Sequence, residues 1–379
     1  MEDIHVIQLC YLFCTILSSL PAPLPQESLD NDEISDIILC CFVILQLLIS
    51  IPSSTIFQHL TAPFPQSLLP QNRNSHPFVG FNAFGAFSRH EYLFWRLCGE
   101  TPVTFNELAD RVRQDVVAVR RDGRPRLIEG RPYTLDFKNR ILLVLIWLRK
   151  YPSLDLLACM FDISMSTVSG TIHQVAPIIW HHFRSCVTWP SLREWQSLRN
   201  TWRHFPNAVG AIDGTYTPIN RPTVNQRNYY SGHRHRHLMS IQVICDSLGH
   251  IRFIQAGFPG HLNDGGTYLR MPPIGPGLPL DFPPNCELLA DKGYAARAPL
   301  RTMWRQVHLI RMSGRLQRAA YRQNRNHKRY RVKVEHVIKI IKDYRASRNI
   351  WRHPRWFQPV IFELCAFMAE RHLRLFESL

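Results

Sequence analysis

Four acidic residues occupy positions where carboxylates could act together. Asp213 follows a small and apolar run in AVGAID, Asp264 lies in FPGHLND, Asp291 closes CELLAD, and Glu335 lies within RVKVEHVIKIIK. Oxygen ligands of this kind are those that hard divalent cations prefer. Carboxylates gathered without a cation would repel one another and raise one another's pKa. The set therefore predicts a divalent-metal site, unless the four are unrelated turn and surface acids, since Asp before Gly is common in turns.

The elements around these acids must bring them together. We expect AVGAID to be a buried strand ending at Asp213, and HLMSIQVICDSLGHIRFIQAGF to be a hairpin turning at residues 246–249. A short helix should open at Asp264, after a turn containing Asn and Gly. CELLAD should be a further strand, ending at Asp291. Glu335 should lie on a helix whose apolar stripe includes Val334, Val337, Ile338 and Ile341.

This order of elements predicts an α/β fold with a mixed sheet flanked by helices. In the RNase H-like fold, the strands carrying the first and third acids are neighbours, a second acid opens a helix, and a later helix supplies the fourth. Asp213, Asp264, Asp291 and Glu335 follow that order. The sequence is compatible with Asp264 as a direct metal ligand and with Asp264 as a residue at the edge of the site.

The charge of the chain favours a polyanionic partner. Net charge is +16, with a pI of about 9.7. Residues 1–70 hold seven acids and no Lys or Arg, so the remainder carries 16 + 7 = +23. The segment between Asp291 and Glu335 is densely basic and contains Tyr321 and Tyr330. Such a segment suits contacts with nucleic-acid phosphates that do not depend on the base sequence. A nuclear import signal or a solvated basic loop is the alternative interpretation of such a run.

An all-α helix-turn-helix domain is predicted before the acids. Helices are expected over about 135–150, 154–161 and 165–183, with Ser153 and Ser164 as N-caps and a turn at residues 162–163. The last helix would present its N-terminal end to a major groove, through the outward residues Met165, Ser166, Thr167, Ser169, Gly170 and His173. Three ordinary packed helices are the alternative. Residues 181–207 are expected to form a Trp-rich helical connector.

Three regions follow from these patterns. We expect residues 1–80 to form a hydrophobic extension and linker, residues 81–206 a helical region with the helix-turn-helix unit at about 135–183, and residues 207–375 the RNase H-like domain that carries the four acids. The apolar runs 4–20 and 37–51 are short for membrane spans and lack basic flanks, so membrane insertion is disfavoured. The ten cysteines and eighteen histidines show no structural-zinc spacing, which leaves free thiols as the expectation.

The blocks AIDGT, FPGHLND, LLADKGY and RVKVEH, with the preceding LRKYPSLDLLACMFDISMSTVSGTI, resemble the Harbinger-type DDE transposases and the nucleases derived from them. The resemblance spans roughly residues 135–375. It departs in PGHLNDGG, where the family pattern is closer to PGS…HDS, and in the absence of Phe-Gly after the Glu335 region. These departures bear on substrate specificity and leave the acids intact.

The resemblance implies a nuclear, metal-dependent endonuclease or transposase that uses Mg²⁺ or Mn²⁺ and acts on double-stranded DNA. Asp213, Asp291 and Glu335 would be catalytic, and these three with Asp264 would bind the metal. It also implies a Myb-like DNA-binding partner protein, and pairing of two DNA ends would call for a homodimer. The competing hypothesis is a domesticated, non-catalytic, sequence-specific DNA-binding protein that retains the fold.

Overall fold

The computed structural model describes residues 82–118, 134–294 and 297–377. The predicted N-terminal extension (residues 1–80) and residues 119–133 of the predicted helical region lie outside these residues. The chain divides into two units, one comprising Met1–Trp147 with Pro152–Val175 and the other Leu148–Tyr151 with Ala176–Leu379.

The first unit is helical. Its helices are α1 (Ala83–Phe87), α2 (Glu91–Cys98), α3 (Pro102–Ala118), α4 (Phe137–Lys150), α5 (Leu154–Phe161) and α6 (Met165–Phe183), of which α4 and α6 continue into the second unit. An aromatic cluster holds the first three helices together: the ring of Phe94 lies 5.9 Å from that of Phe84 and 5.5 Å from that of Phe105. The buried Arg140 of α4 donates to the carbonyl of Val116, 2.5 Å away, and so ties α4 to α3.

The predicted helix-turn-helix is present with the expected bounds for α5 and α6. Asp162 ends α5 in the left-handed conformation (φ 50°, ψ 55°), which a short polar side chain tolerates. Ser164 accepts a hydrogen bond from the amide of Thr167 at 3.2 Å and therefore caps α6 as predicted. Ser153 has extended N-cap geometry but makes no side-chain cap bond. Val168 and Ile172 are fully buried, which holds α6 in place.

A mixed sheet forms the centre of the second unit. Its main strands are β1 (Ala208–Pro218), β2 (Tyr230–Ser231), β3 (Arg236–Asp246), β4 (Ile251–Pro259), β7 (Glu287–Ala290) and β8 (Leu300–Thr302). Their order is β2-β3-β1-β7-β8, with β4 paired to β3. The β1–β3 and β3–β4 pairs are antiparallel, whereas β1–β7 and β7–β8 are parallel. The predicted hairpin (β3–β4) is confirmed, and so is the predicted pairing of the strands that lead to Asp213 and Asp291, which are β1 and β7.

One strand prediction was wrong. We expected β1 to end at Asp213, but it continues to Pro218, and Asp213 is paired with Val243 of β3. The reason is that Gly214 through Pro218 find partners in the long strand β3. Pairing of this kind overrides the turn tendency of Asp-Gly.

Helices flank the sheet. They are α7 (Leu192–Ser197), α8 (Gln226–Tyr229), α9 (Asp264–Tyr268), α10 (Gln306–Arg311), α11 (Gly314–Lys342), α12 (Arg345–Arg348) and α13 (Gln358–Glu377). Glu370 of α13 is fully buried and accepts from the amide of Ile251 at 2.7 Å, which fixes α13 against β4. Lys342, at the end of α11, donates to the carbonyls of Ser347 (2.9 Å) and Tyr216, and so anchors α11 to β1. The arrangement is RNase H-like.

The structure adds detail to three segments. The basic segment before Glu335 belongs to one helix of 29 residues, α11, and is therefore not the solvated loop of the alternative interpretation. The Trp-rich connector, which was expected to be helical, is mostly irregular, with a single turn of 3-10 helix and the six-residue α7. Residues 272–285 contain a small parallel pair, β5 (Ile274–Gly275) and β6 (Leu280–Asp281).

The cysteines within the described residues are not joined in disulfides. Within the ranges that the structure describes, no helix combines the length and the apolarity needed to cross a membrane.

Candidate active site

Asp213 lies near the middle of β1, with its side chain 18% exposed. Its Oδ1 accepts from the amide of Gly214 at 3.0 Å, and its Oδ2 accepts from Arg331. Burial raises the pKa of Asp213 to about 6, although the Arg331 guanidinium and the Gly214 amide oppose the rise. A carboxyl group that is costly to ionise in this way gains most from a nearby cation.

Asp264 opens α9 and lies against β1. A Cβ at Gly214 would overlap Asp264 Oδ1, so the carboxylate occupies the space that the missing side chain leaves. The other oxygen, Oδ2, lies 3.4 Å from the position of a Cβ on Gly293. Gly214 therefore accommodates this second acid beside Asp213. Burial raises the pKa of Asp264, and the charge of Asp291 raises it further.

Asp291 follows β7 directly. In the parallel β1–β7 pair, Ala211 lies beside Leu289, and Asp213 and Asp291 both lie two residues beyond that pair. The two acids are thus carried on adjacent chain segments running in the same direction. Because the Asp264 carboxylate lies against both Gly214, next to Asp213, and Gly293, two residues after Asp291, the three aspartates belong to one region of the domain.

Glu335 joins the site through Arg331, one turn earlier on α11. Arg331 Nη1 lies 2.9 Å from Asp213 Oδ2, and Nη2 makes a short contact with Glu335 Oε1. Arg331 is 12% exposed and Glu335 is 44% exposed. The guanidinium is therefore held between the first and fourth acids of the predicted set, and its buried Nε has no hydrogen-bond partner.

The donor set matches a hard divalent cation in chemical type. All four predicted ligands are carboxylates, and burial raises the pKa of Asp213 and of Asp264 although Arg331 opposes the rise in both, so a further cation would favour their ionised forms. Among the described residues, however, no three acidic, histidine or cysteine side chains lie close enough to hold a metal as they stand. A cation shared by Asp213 and Glu335 would take the position that the guanidinium has in this structure.

Sequence reasoning missed the residues that support the acids. Gln242 of β3 is opposite Gly214 in register and 1% exposed. Its Oε1 accepts from the buried Tyr294 hydroxyl at 2.7 Å, which fixes the amide so that Nε2 lies beside Gly214. Burial and the charges of Asp264 and Asp213 raise the pKa of Tyr294. Arg331 could have been found from its spacing of four residues from Glu335 on a helix.

An arginine stripe runs along α11 ahead of Arg331. Its members are exposed and follow one another at intervals of three and four residues, which places them on one helix face. We call this set the α11 arginine stripe: Arg315, Arg318, Arg322, Arg325 and Arg329. No acidic residue occurs between residues 292 and 334. The stripe is therefore a strongly cationic surface on the same helix as Glu335.

The N-terminal end of α6 is exposed at two of the six positions predicted to face outward. Met165 and Ser166 are exposed, and Thr167, Ser169, Gly170 and His173 are half-buried. His173 Nδ1 lies 2.8 Å from the carbonyl oxygen of Ser169, which sets the orientation of its ring.

An RNase H-like sheet with neighbouring carboxylates, in a chain that also has a helix-turn-helix, defines a nucleic-acid-processing class of protein. Comparison with known families supports this at two places. Residues 212–369 match the family described as DDE superfamily endonuclease, and residues 133–185 match the helix-turn-helix of DDE superfamily endonuclease. These two regions of the chain thus match the helix-turn-helix part and the endonuclease part of the DDE superfamily endonucleases.

Similar proteins include transposases. A probable transposase for the insertion sequence element IS702 of Microchaete diplosiphon is 23% identical over 69% of this chain and 87% of its own length. A putative transposase for the element IS112 of Streptomyces albus G is 24% identical over 62% of this chain and 80% of its own length. The protein ALP1-like of Arabidopsis thaliana is 30% identical over 36% of this chain and 33% of its own length. No solved structure matches the chain significantly.

Proposed function

We propose that this protein is a metal-dependent DNA endonuclease, of transposase or transposase-derived type, that hydrolyses phosphodiester bonds at the Asp213–Asp291–Glu335 cluster. The observation that carries the proposal is the position of Asp213. It lies on β1 beside the segment bearing Asp291, with Asp264 against it and Glu335 one arginine away.

Asp213, Asp264, Asp291 and Glu335 would hold Mg²⁺ or Mn²⁺. When bound, such cations activate water as the nucleophile and stabilise the charge on the leaving oxygen. The chain's own residues have separate tasks. Gly214 admits the Asp264 carboxylate beside Asp213, and the Tyr294–Gln242 pair keeps the amide behind the acids in one orientation. Glu335 contacts Arg331, so it would bind a cation only where that cation displaced the guanidinium.

DNA binding would use both units. The α11 arginine stripe suits the phosphate backbone, because arginines on one exposed helix face can follow a line of phosphates without reading sequence. The exposed end of α6 suits a major groove. Action on DNA favours the nucleus as the site of function. The Myb-like partner and the homodimer that the resemblance implies do not form part of the proposal.

A second function is favoured by one observation. Because Arg331 already neutralises part of the acidic cluster, a DNA-binding protein that keeps the fold without cleaving DNA would also be stable with this arrangement. The two proposals differ in whether any divalent cation elicits cutting.

Cleavage of supercoiled plasmid in Mg²⁺ or Mn²⁺ tests the leading proposal. The wild type should produce nicked or linear DNA, EDTA should stop the reaction, and Asp213→Asn should reduce the rate by at least about a hundredfold, as loss of an electrostatic catalytic group does. Asp343→Asn is the matched control, since this exposed carboxylate lies at the end of α11. Equal cutting by the wild type and Asp213→Asn would refute the proposal. DNA binding without cutting under either cation would favour the second function.

A further inference from the structure

The turn between β2 and β3 carries an exposed cation that the proposed function does not use. Residues 232–235 form this turn, and their sequence is GHRH. His235 has a φ of 51°, in the left-handed region that residues other than glycine adopt rarely and histidine adopts more often than most. Arg234 precedes it and is exposed. The turn therefore presents an arginine beside the edge strand β2.

Tyr216 of β1 holds the Arg234 guanidinium in place. The guanidinium carbon, Cζ, lies 4.4 Å from the centroid of the Tyr216 ring, which is a cation–π contact. Within the described part of the chain, no hydrogen bond or ion pair engages this guanidinium. Arg331, by contrast, contacts two of the acids. Arg234 is thus positioned by its contact with an aromatic ring and keeps its hydrogen-bond donors for another group.

Arg234 and Asp264 lie on the same side of β1. Side chains two residues apart on a strand point to the same face, and the pairing of β1 with β3 is continuous from Gly214 to Tyr216. The Asp264 carboxylate lies against Gly214, and the Arg234 guanidinium lies over Tyr216. The turn thus adds an arginine to the face of the strand on which the second acid lies.

Hydrogen bonds join the segment before the turn to the loop that leads to Asp264. The amide of His261 donates to the carbonyl of Asn228 at 3.2 Å, and Nδ1 of the same histidine lies 2.8 Å from that oxygen. Burial raises the pKa of Asp264, and the charge of Arg234 opposes that rise. The turn and the acid are therefore held in one part of the domain by contacts on both sides of Arg234.

The chemistry of this position suits a phosphate group. A guanidinium presents several donors in a plane and binds the oxygens of carboxylates and phosphates. If Arg234 served only to neutralise Asp264, it would be expected to pair with that carboxylate, as Arg331 pairs with Asp213. Its donors instead stay available beside the acids at which we propose that DNA is cut. The oxyanion that bound DNA brings to this place is a backbone phosphate.

We propose that Arg234 binds a phosphate of the DNA substrate beside Asp264, and that Tyr216 is the residue that positions its guanidinium. The inference rests on the proposed action on DNA and adds a contact from the β2–β3 turn, an element other than α6 and α11. In this arrangement the guanidinium donates to phosphate oxygens while its carbon stays over the Tyr216 ring. Such a contact fixes the position of the DNA strand without reading its sequence.

Fluorescence anisotropy of a labelled duplex with the full-length protein in EDTA, across a salt series, tests the proposal without any cutting. Arg234→Gln should weaken binding about tenfold and lower the slope of log affinity against log salt by about one, because one phosphate contact is lost. Arg234→Lys should restore the slope, since it keeps the charge. Tyr216→Leu should lower affinity about two- to fivefold through loss of the cation–π contact, and Tyr216→Phe should bind as the wild type does.

Arg193→Gln is the matched control, since it removes the same charge from an exposed position of α7 and should leave the slope unaltered. A photo-crosslinking residue locates the contact directly. p-Benzoylphenylalanine introduced at position 234 should crosslink to the duplex under near-ultraviolet light, whereas the same residue introduced at position 193 should not.

An unchanged salt slope in Arg234→Gln would overturn the inference, and so would the absence of a crosslink from position 234. Equal affinities of Tyr216→Leu and the wild type would contradict the positioning role of the ring. None of these measurements depends on catalysis. If the wild type binds DNA through Arg234 but cuts no plasmid, the nuclease function fails and the phosphate site stands. If plasmid is cut but Arg234→Gln binds and cuts as the wild type does, only the phosphate site fails.

Discussion

Arg331 Nη1 lies 2.9 Å from Asp213 Oδ2, while the other nitrogen of the same guanidinium contacts Glu335. A cation of the chain itself thus occupies the space between two of the acids to which we assign metal binding. A divalent ion and this guanidinium would compete for the same oxygens.

Replacement of Arg331 by Gln should therefore tighten Mn²⁺ binding. Hydrogen bonds to charged groups contribute about 1.5–3 kcal/mol, so removing the competitor should raise affinity about tenfold or more. Isothermal calorimetry measures this directly, and Arg329→Gln, an exposed neighbour on α11, serves as the control. Weaker Mn²⁺ binding by Arg331→Gln would mean that the arginine positions the acids rather than competing for them.

The raised pKa of Asp213 predicts a characteristic pH dependence of stability. A carboxyl group with a pKa of about 6 in the folded state and about 3.9 when unfolded holds its proton more tightly in the folded protein. Its contribution to stability is fully present below about pH 4 and is lost as pH rises through 6, a change of roughly 3 kcal/mol.

Asp213→Asn should remove that dependence. Its free energy of unfolding, relative to the wild type, should rise as the pH increases from 4 to 7, and urea denaturation at several pH values measures this. A constant difference between the two proteins across this range would contradict the assigned environment of Asp213.

Mn²⁺ should raise the melting temperature of the wild type more at pH 7.5 than at pH 5, because protonation of the Asp213 carboxyl group opposes metal binding.

Tyr294→Phe tests the support behind the acids. The change leaves Gln242 Oε1 buried without its donor, 2.7 Å from where the hydroxyl had been, and should destabilise the domain by about 1–3 kcal/mol. Tyr268→Phe, on a half-buried tyrosine that packs against Tyr294, is the matched control. A destabilisation by Tyr294→Phe no larger than that of the control would show that the Gln242 hydrogen bond is unimportant for folding.

The α11 arginine stripe should account for part of the salt dependence of DNA binding. Replacing Arg322 and Arg325 together by Ala should weaken binding to any duplex and lower the slope of log affinity against log salt by about two, because each arginine is expected to neutralise one phosphate. Fluorescence anisotropy across a salt series gives that slope. An unchanged slope would exclude these arginines from the DNA interface.

Ser166→Glu separates the stability of the helix-turn-helix from its DNA binding. A negative charge in the first turn of α6 favours the helix, so the melting temperature should hold or rise slightly. The same charge repels phosphates and should weaken duplex binding about tenfold. Gln196→Glu makes the same charge change at an exposed position of α7 and should leave the affinity for duplex DNA unaltered. Equal affinities for the two variants would argue against α6 as a DNA-reading helix.

Local patterns were sufficient to predict much of the fold. The bounds of α5 and α6 follow from capping residues and apolar spacing, and the β3–β4 hairpin follows from two apolar runs around Asp246–Gly249. The extension of β1 to Pro218 could not be predicted, because it depends on pairing with β3 rather than on the propensity of its own residues.

The candidate site was predictable in its acids but not in its contacts. The order of Asp213, Asp264, Asp291 and Glu335 among the elements follows from strand and helix signals. The bridging position of Arg331 depends on where α11 lies against β1, which no local pattern specifies. The same holds for the Tyr294–Gln242 bond, which joins residues 52 positions apart in the sequence.

Anomalous diffraction from Mn²⁺-soaked crystals of the wild type and of Arg331→Gln tests the central claim most directly. We predict a manganese peak within about 2.0–2.6 Å of an Asp213 carboxylate oxygen in Arg331→Gln, with a second ligand from Asp291 or Glu335, and a weaker peak at the same place in the wild type. Absence of manganese at Asp213 in both crystals, with the acids still separated, would contradict the assignment of this cluster as the metal centre of a DNA endonuclease.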